Sequence, residues 1–95
     1  MNPDRLQVKN IVRQRREELG MSIGDLARAV GIRSPEFVSL IEAGHVFIEL
    51  NRAPAFAAAL KLDVTGFCLC CLFEVSPTFY RAVFGEGEPF LPLPR

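Results

Sequence analysis

The sequence predicts an all-α fold, a bundle of five to six helices built around a helix-turn-helix. Three observations predict it. Apolar residues recur at helical rather than strand spacing. Ser, Asp or Asn starts and Gly stops punctuate the chain at helix-length intervals. Two short segments joined by a tight turn carry matching apolar faces. The 95 residues suit one domain with one modest core.

The first helix is expected over residues 4–19, where Leu6, Val8, Ile11, Val12 and Leu19 follow helical spacing and Gly20 provides a stop. Ser22 is an N-cap, and Asp25 three residues on imitates a capping box with a shorter acid. The second helix then covers residues 23–30 and stops at Gly31. Ser34-Pro35 opens a third, with Ser as cap and Pro at the first helical position, and Gly44 ends it after Ala43. Asn51 is the expected cap of a fourth helix over residues 52–60. Asp63 caps a fifth over residues 64–75, and Ser76-Pro77 opens a sixth that closes near Phe84-Gly85. This makes residues 1–85 one domain whose helices over about 64–84 serve dimerisation. Residues 86–95 carry three prolines and are expected as an extended tail.

Apolar residues make up 49% of the chain, a surplus for so small a domain, and a subunit interface is the expected place to hide it. Net charge is zero, from eleven Lys/Arg against eleven Asp/Glu, so contact with nucleic acid would rest on a local basic face rather than on overall charge. The N-terminus reads as polar with no signal peptide, and no apolar run approaches the ~20 residues of a membrane span. A cytoplasmic protein is the expectation. Cys68, Cys70 and Cys71 sit together without the paired spacing or the His that zinc requires, and they read as small buried hydrophobes. A redox switch across a dimer interface is the alternative. One His, no nucleophile elbow and no phosphate-cradling glycine loop argue against an enzyme, and no cofactor is implied.

The most informative stretch is Ser22 to Gly44. Leu26, Ala27 and Val30 give its first helix an inward face, Val38 and Ile41 give its second a matching one, and small Ala27 allows close approach. That is helix-turn-helix geometry, in which the second helix, about residues 35–43, lies in the major groove of double-stranded DNA.

Together with its flanks this stretch resembles the Xre/Cro family of phage-repressor-like transcriptional regulators. The matching residues are Arg13, Arg16, Leu19-Gly20-Met21-Ser22, Asp25-Leu26-Ala27, Gly31, Val38-Ser39, Ile41-Glu42 and Gly44, followed by the Ala- and Leu-rich Pro54–Leu60. The resemblance implies a bundle of about five helices, a dimer on DNA, and regulation of transcription. Ile23 stands where the family often has Gln, so that position offers no side-chain hydrogen bond. The alternative function is a helix-turn-helix scaffold that binds another protein.

Arg5, Lys9, Arg13 and Arg16 share one face of the first helix, either to neutralise phosphates or as a solvated stripe partnered by Glu17 and Glu18. Arg28 and Arg33 flank the expected groove, with Ser22 at the start of the second helix. Ser34, Glu36, Phe37 and Ser39 are the candidates to face base edges, Phe37 toward a thymine methyl and Glu36 toward a cytosine amine. His45 either meets a phosphate or faces solvent. Glu42, unfavourable at a helix C-terminus, calls for an arginine partner from the first helix such as Arg13. For the homodimer the expected surface is Phe67, Cys71, Leu72, Phe79, Tyr80 and Phe84, because residues 67–73 are apolar all round and one small core covers only one side.

Overall fold

Residue types at the helix ends set most element boundaries. The computed structural model describes residues 7–94. Among these are six α-helices: α1 (Val8–Glu18), α2 (Ile23–Ala29), α3 (Pro35–Ala43), α4 (Ala53–Ala59), α5 (Val64–Val75) and α6 (Pro77–Phe84). The start of the first expected helix, residues 4–6, lies outside the described residues. The described residues form no named strand, only an isolated bridge between Leu62 and Pro94.

The capping box is present. Asp25 N donates to Ser22 Oγ and Ser22 N to Asp25 Oδ2, both at 2.9 Å. Asp63 Oδ2 accepts from Gly66 N at 2.8 Å and starts α5. Ser34 and Ser76 occupy the cap positions of α3 and α6 but make no side-chain cap bond. The proline that follows each has no N–H to satisfy, so the helix starts without one. Asn51 does not cap α4. It lies in a 3-10 turn over Leu50–Arg52 that runs into the helix.

The turn between α2 and α3 is closed by backbone bonds. Ile32 N donates to Ala27 O at 2.8 Å and Gly31 N to Arg28 O at 3.2 Å, with Gly31 at φ 76°. This is the Schellman arrangement, and a side chain at residue 31 would be strained in it. The same arrangement ends α4, but there a non-glycine, Lys61, holds φ 54°, at a cost of roughly 1–2 kcal/mol. Arg15 compensates from α1. Its Nε donates to Leu60 O at 2.8 Å and its Nη2 to Lys61 O at 3.4 Å.

Val12, Leu26, Val38, Ile41, Phe56, Leu60 and Phe67 form the centre of the core. Helix α5 packs on α1, α4 and α6. At its C-terminal end Glu74 Oε2 accepts from Val8 N at 2.7 Å, so a carboxylate from α5 meets the positive end of the α1 dipole.

The remaining side of α5 is covered by the tail. Pro89 is buried, Cys70 Sγ donates to Phe90 O at 3.4 Å, and Asp63 N donates to Leu93 O at 2.8 Å. Gly66 makes room for this crossing, because a Cβ there would lie 3.3 Å from Pro92 Cα and Cβ. The apolar character of α5 is thus largely satisfied within one chain.

Truncation after Gly85 is therefore expected to destabilise the domain. Losing the buried Pro89, the Asp63–Leu93 bond and the cover over Cys70 should lower unfolding free energy by about 1–3 kcal/mol. Urea unfolding followed by circular dichroism measures it, and an unchanged midpoint and slope would refute the assigned role of the tail.

Candidate nucleic-acid interface

The inner faces of α2 and α3 are anchored by Leu26, Ala27, Val38 and Ile41, all buried. This leaves Ser34, Glu36, Ser39 and Leu40 on the solvent side of α3. Phe37 is different. Its ring is half-buried and packs on the core, so it is not a free reader of a thymine methyl. Ser34 and Glu36, two expected base readers, bond each other, the hydroxyl donating to Glu36 Oε2 at 2.6 Å. That bond, together with one from the Glu36 backbone, holds the Glu36 carboxyl below its usual value, so it presents a negative charge near the start of α3. Ser39 is exposed, and His45 is exposed in the loop beyond α3.

Behind α3 stands an ion pair that reassigns two arginines. Arg16 Nε donates to Glu42 Oε2 at 2.7 Å and Nη2 to Glu42 Oε1 at 3.1 Å, while Nη1 donates to Met21 O at 2.8 Å. The two side chains are only 13% and 8% exposed. The fork that would grip a phosphate is spent, which overturns the expected phosphate contact by Arg16. The partner of Glu42 is also not Arg13, which lies exposed and pairs with Glu17 at 3.5 Å. The Glu42 bond is the main cause that raises the Arg16 guanidinium above its ordinary value. Lys9 leaves the expected stripe as well. Its stem runs past the end of α3, where a Cβ on Gly44 would meet Lys9 Cδ at 3.0 Å. Arg5 lies outside the described residues.

Arg28 is exposed and pairs with Asp25 at 2.6 Å. The Asp25 carboxyl is held below its ordinary value, first by bonds from the Ser22 backbone and hydroxyl and then by Arg28. Its folded value being depressed, the stability it adds is complete above the ordinary aspartate value and fades as pH falls through the lowered one. Arg33, exposed in the turn, makes no ion pair among the described residues. Exposed pairs such as Arg13–Glu17 and Arg28–Asp25 contribute little to stability. Either arginine can exchange its carboxylate for a phosphate at little cost.

The expected dimer surface divides. Phe67, Cys71 and Tyr80 are buried inside their own chain and cannot meet a partner. Tyr80 stacks edge-on against Phe73 at 5.2 Å and lies 4.9 Å from the Phe84 ring, while Arg81 covers the Phe73 face at 5.3 Å. Leu72 is half-buried, whereas Phe79 and Phe84 are exposed. Burial pushes up the thiols of Cys68, Cys70 and Cys71, that of Cys70 to about 11, so they are poor nucleophiles. Among the described residues no group of His, Cys, Asp or Glu is placed to hold a metal ion, and no helix is long and apolar enough to cross a membrane.

Sequence reasoning did not single out Arg15, nor the exposed Leu40, Phe47 and Leu50. The position of Leu40 four residues after Glu36 was the available signal, because it puts Leu40 on the outer face of α3.

No family model matches the chain, and no curated protein matches it. Among solved structures it is similar to a transcriptional regulator of the HTH_3 family from Vibrio cholerae, with a TM-score of 0.56 and 20% identity over 77% of this chain. The likeness supports the all-helical helix-turn-helix fold. The chain spans 38% of the length of that regulator.

The Arg16–Glu42 pair yields a direct expectation. Arg16→Ala leaves a nearly buried carboxylate unpaired and should cost about 3–5 kcal/mol of stability. Arg16→Met with Glu42→Leu should recover most of that loss. Thermal or urea unfolding of the three chains measures it, and a single variant as stable as the parent would refute the structural role.

Proposed function

We propose that this chain is a cytoplasmic, non-enzymatic regulator of transcription that binds double-stranded DNA as a homodimer with α3 in the major groove, in the manner of the Xre/Cro regulators it resembles. The observation that supports this best is the α2–turn–α3 unit, braced from behind by Arg16–Glu42, with the outer face of α3 open. Arg33 is the principal phosphate contact, and Arg13 and Arg28 join it by exchanging carboxylates for phosphates. Ser22, Ser34 and His45 add hydrogen bonds to the backbone. Ser39 and Glu36 read base edges, the latter once Ser34 releases it. The dimer forms through the exposed face of α6, where Phe79 and Val83 are each 56% exposed and stand one turn apart, beside Phe84.

A second reading is a protein-docking module. It is favoured by Leu40, 41% exposed on α3, and by the pairing of Arg13, Arg16 and Arg28 with acids of the same domain.

Gel shifts on random-sequence and genomic DNA across salt concentrations separate the two readings. Arg33→Ala should weaken binding to every sequence and reduce the salt slope by about 0.9, one phosphate's worth. A parent chain that ignores DNA at low salt would reject the DNA reading and leave the docking one.

Phe79→Glu tests the dimer, because an isologous interface receives the substitution twice. It should convert the dimer to a folded monomer with much weaker DNA binding. Sedimentation of the parent chain as a monomer at tens of micromolar would defeat the claim.

A further inference from the structure

The tail is fastened at its far end and free at its base. Its holding contacts all lie at or beyond Pro89: the buried Pro89 ring, the Cys70–Phe90 bond, the Asp63–Leu93 bond, the packing of Pro92 over Gly66 and the Leu62–Pro94 bridge. Residues 85–88 are exposed throughout, and only Gly85 N, which donates to Arg81 O at 2.8 Å, ties them to α6 among the described residues. Gly85 and Gly87 sit at φ 86° and 108°, conformations that glycine also leaves readily. Pro89, Pro92 and Pro94 keep the segment beyond the hinge extended whether or not it is seated.

We infer that this arm exchanges between two copies of the chain, residues 89–94 of each seating along α5 of the other. The inference rests on the dimer reading above and names how that dimer is fastened. The groove on α5 already fits this segment, so exchange keeps each of these bonds and adds the surface between the two bodies. Drawn out, the hinge of residues 85–88 spans about 13 Å, enough to cross to a neighbour that abuts α6. The hinge springs directly from the end of α6, so crossing arms bring the two α6 faces together. Those faces carry Phe79, Val83 and Phe84, and the arm adds Phe90, 91% exposed in the single chain although its carbonyl is tied. Exchange thus covers the apolar side chains that the closed chain leaves in water. The charge at the hinge, Glu86 and Glu88, lies beside no acid of α6, which carries Arg81 instead.

A disulfide between the arm and its groove reports which chain the arm sits on. A Cβ at Gly66 lies 3.3 Å from Pro92 Cβ, close to the ~3.5 Å lower end for disulfides. The native thiols, pushed up by burial, compete poorly for oxidation. Full-length chain carrying Gly66→Cys and Pro92→Cys is oxidised at dimer-forming concentration and run on a denaturing, non-reducing gel, with each single variant as control. Exchange yields covalently joined pairs. An internally bonded single chain, from a protein that still sediments as a dimer, overturns the exchange and leaves the dimer intact. The same product from a monomeric protein overturns both, and a chain that forms no bond at all overturns the seating of the arm. Gly66→Leu provides a second reading should the double variant fail to fold. It fills the place of Pro92 and should weaken self-association by at least about tenfold, whereas unchanged self-association again overturns the exchange.

Discussion

The orientation of α3 depends on one interaction, the fork of Arg16 closed on Glu42. An acid in the last turn of a helix works against the helix dipole, and here it is also almost out of water. Both costs are offset because the guanidinium supplies two parallel bonds to the carboxylate and a third to Met21 O. Met21 opens the link into α2, so the same side chain ties α1, α2 and α3 together. A lysine could not, having one charge centre and no fork. The outer face of α3 then needs no stabilising contact of its own, and its side chains are left available.

That brace has an electrostatic consequence. Arg16 is taken out of the surface, Arg15 caps the end of α4, and Lys9 runs along the end of α3. What the sequence presents as a four-residue basic stripe becomes, over its described part, one exposed arginine with a carboxylate beside it. The zero net charge is mirrored locally: Arg13, Arg28 and Arg52 each face an acid three or four residues away. Around α2 and α3, among the described residues, attraction for a polyanion rests on Arg33 and on pairs loose enough to open.

Element order and boundaries were largely legible in the sequence, because they are written in short-range chemistry. The Ser22/Asp25 box, the Asp63 cap and the Gly31 turn involve residues within a few positions of each other. Asn51 misled because cap preference says nothing of the 3-10 turn that the chain takes before α4. The site was less legible for a related reason. Periodicity put Arg13 and Arg16 on one face, but which of them reaches Glu42 depends on where α3 crosses α1. Phe37 likewise looked exposed until the core was found to take its ring. Such choices are made by tertiary packing, which one-dimensional spacing does not encode.

The apolar surplus shows the same limit at larger scale. An all-apolar helix in a small domain implies a cover on its second side, and the inference is sound. What it cannot name is the cover. Here a proline-bearing segment, whose composition reads as detached, supplies it by laying buried Pro89 and the backbone of Phe90 and Leu93 along α5. Prolines suit this work, since they keep the segment extended and remove donors that would otherwise need partners. The surplus is therefore moved rather than removed. It leaves α5 and reappears at Phe79, Val83, Phe84 and Phe90, around the point where α6 ends and the tail begins. Side chains of that size gathered about a hinge mark the boundary of what one chain can bury by itself.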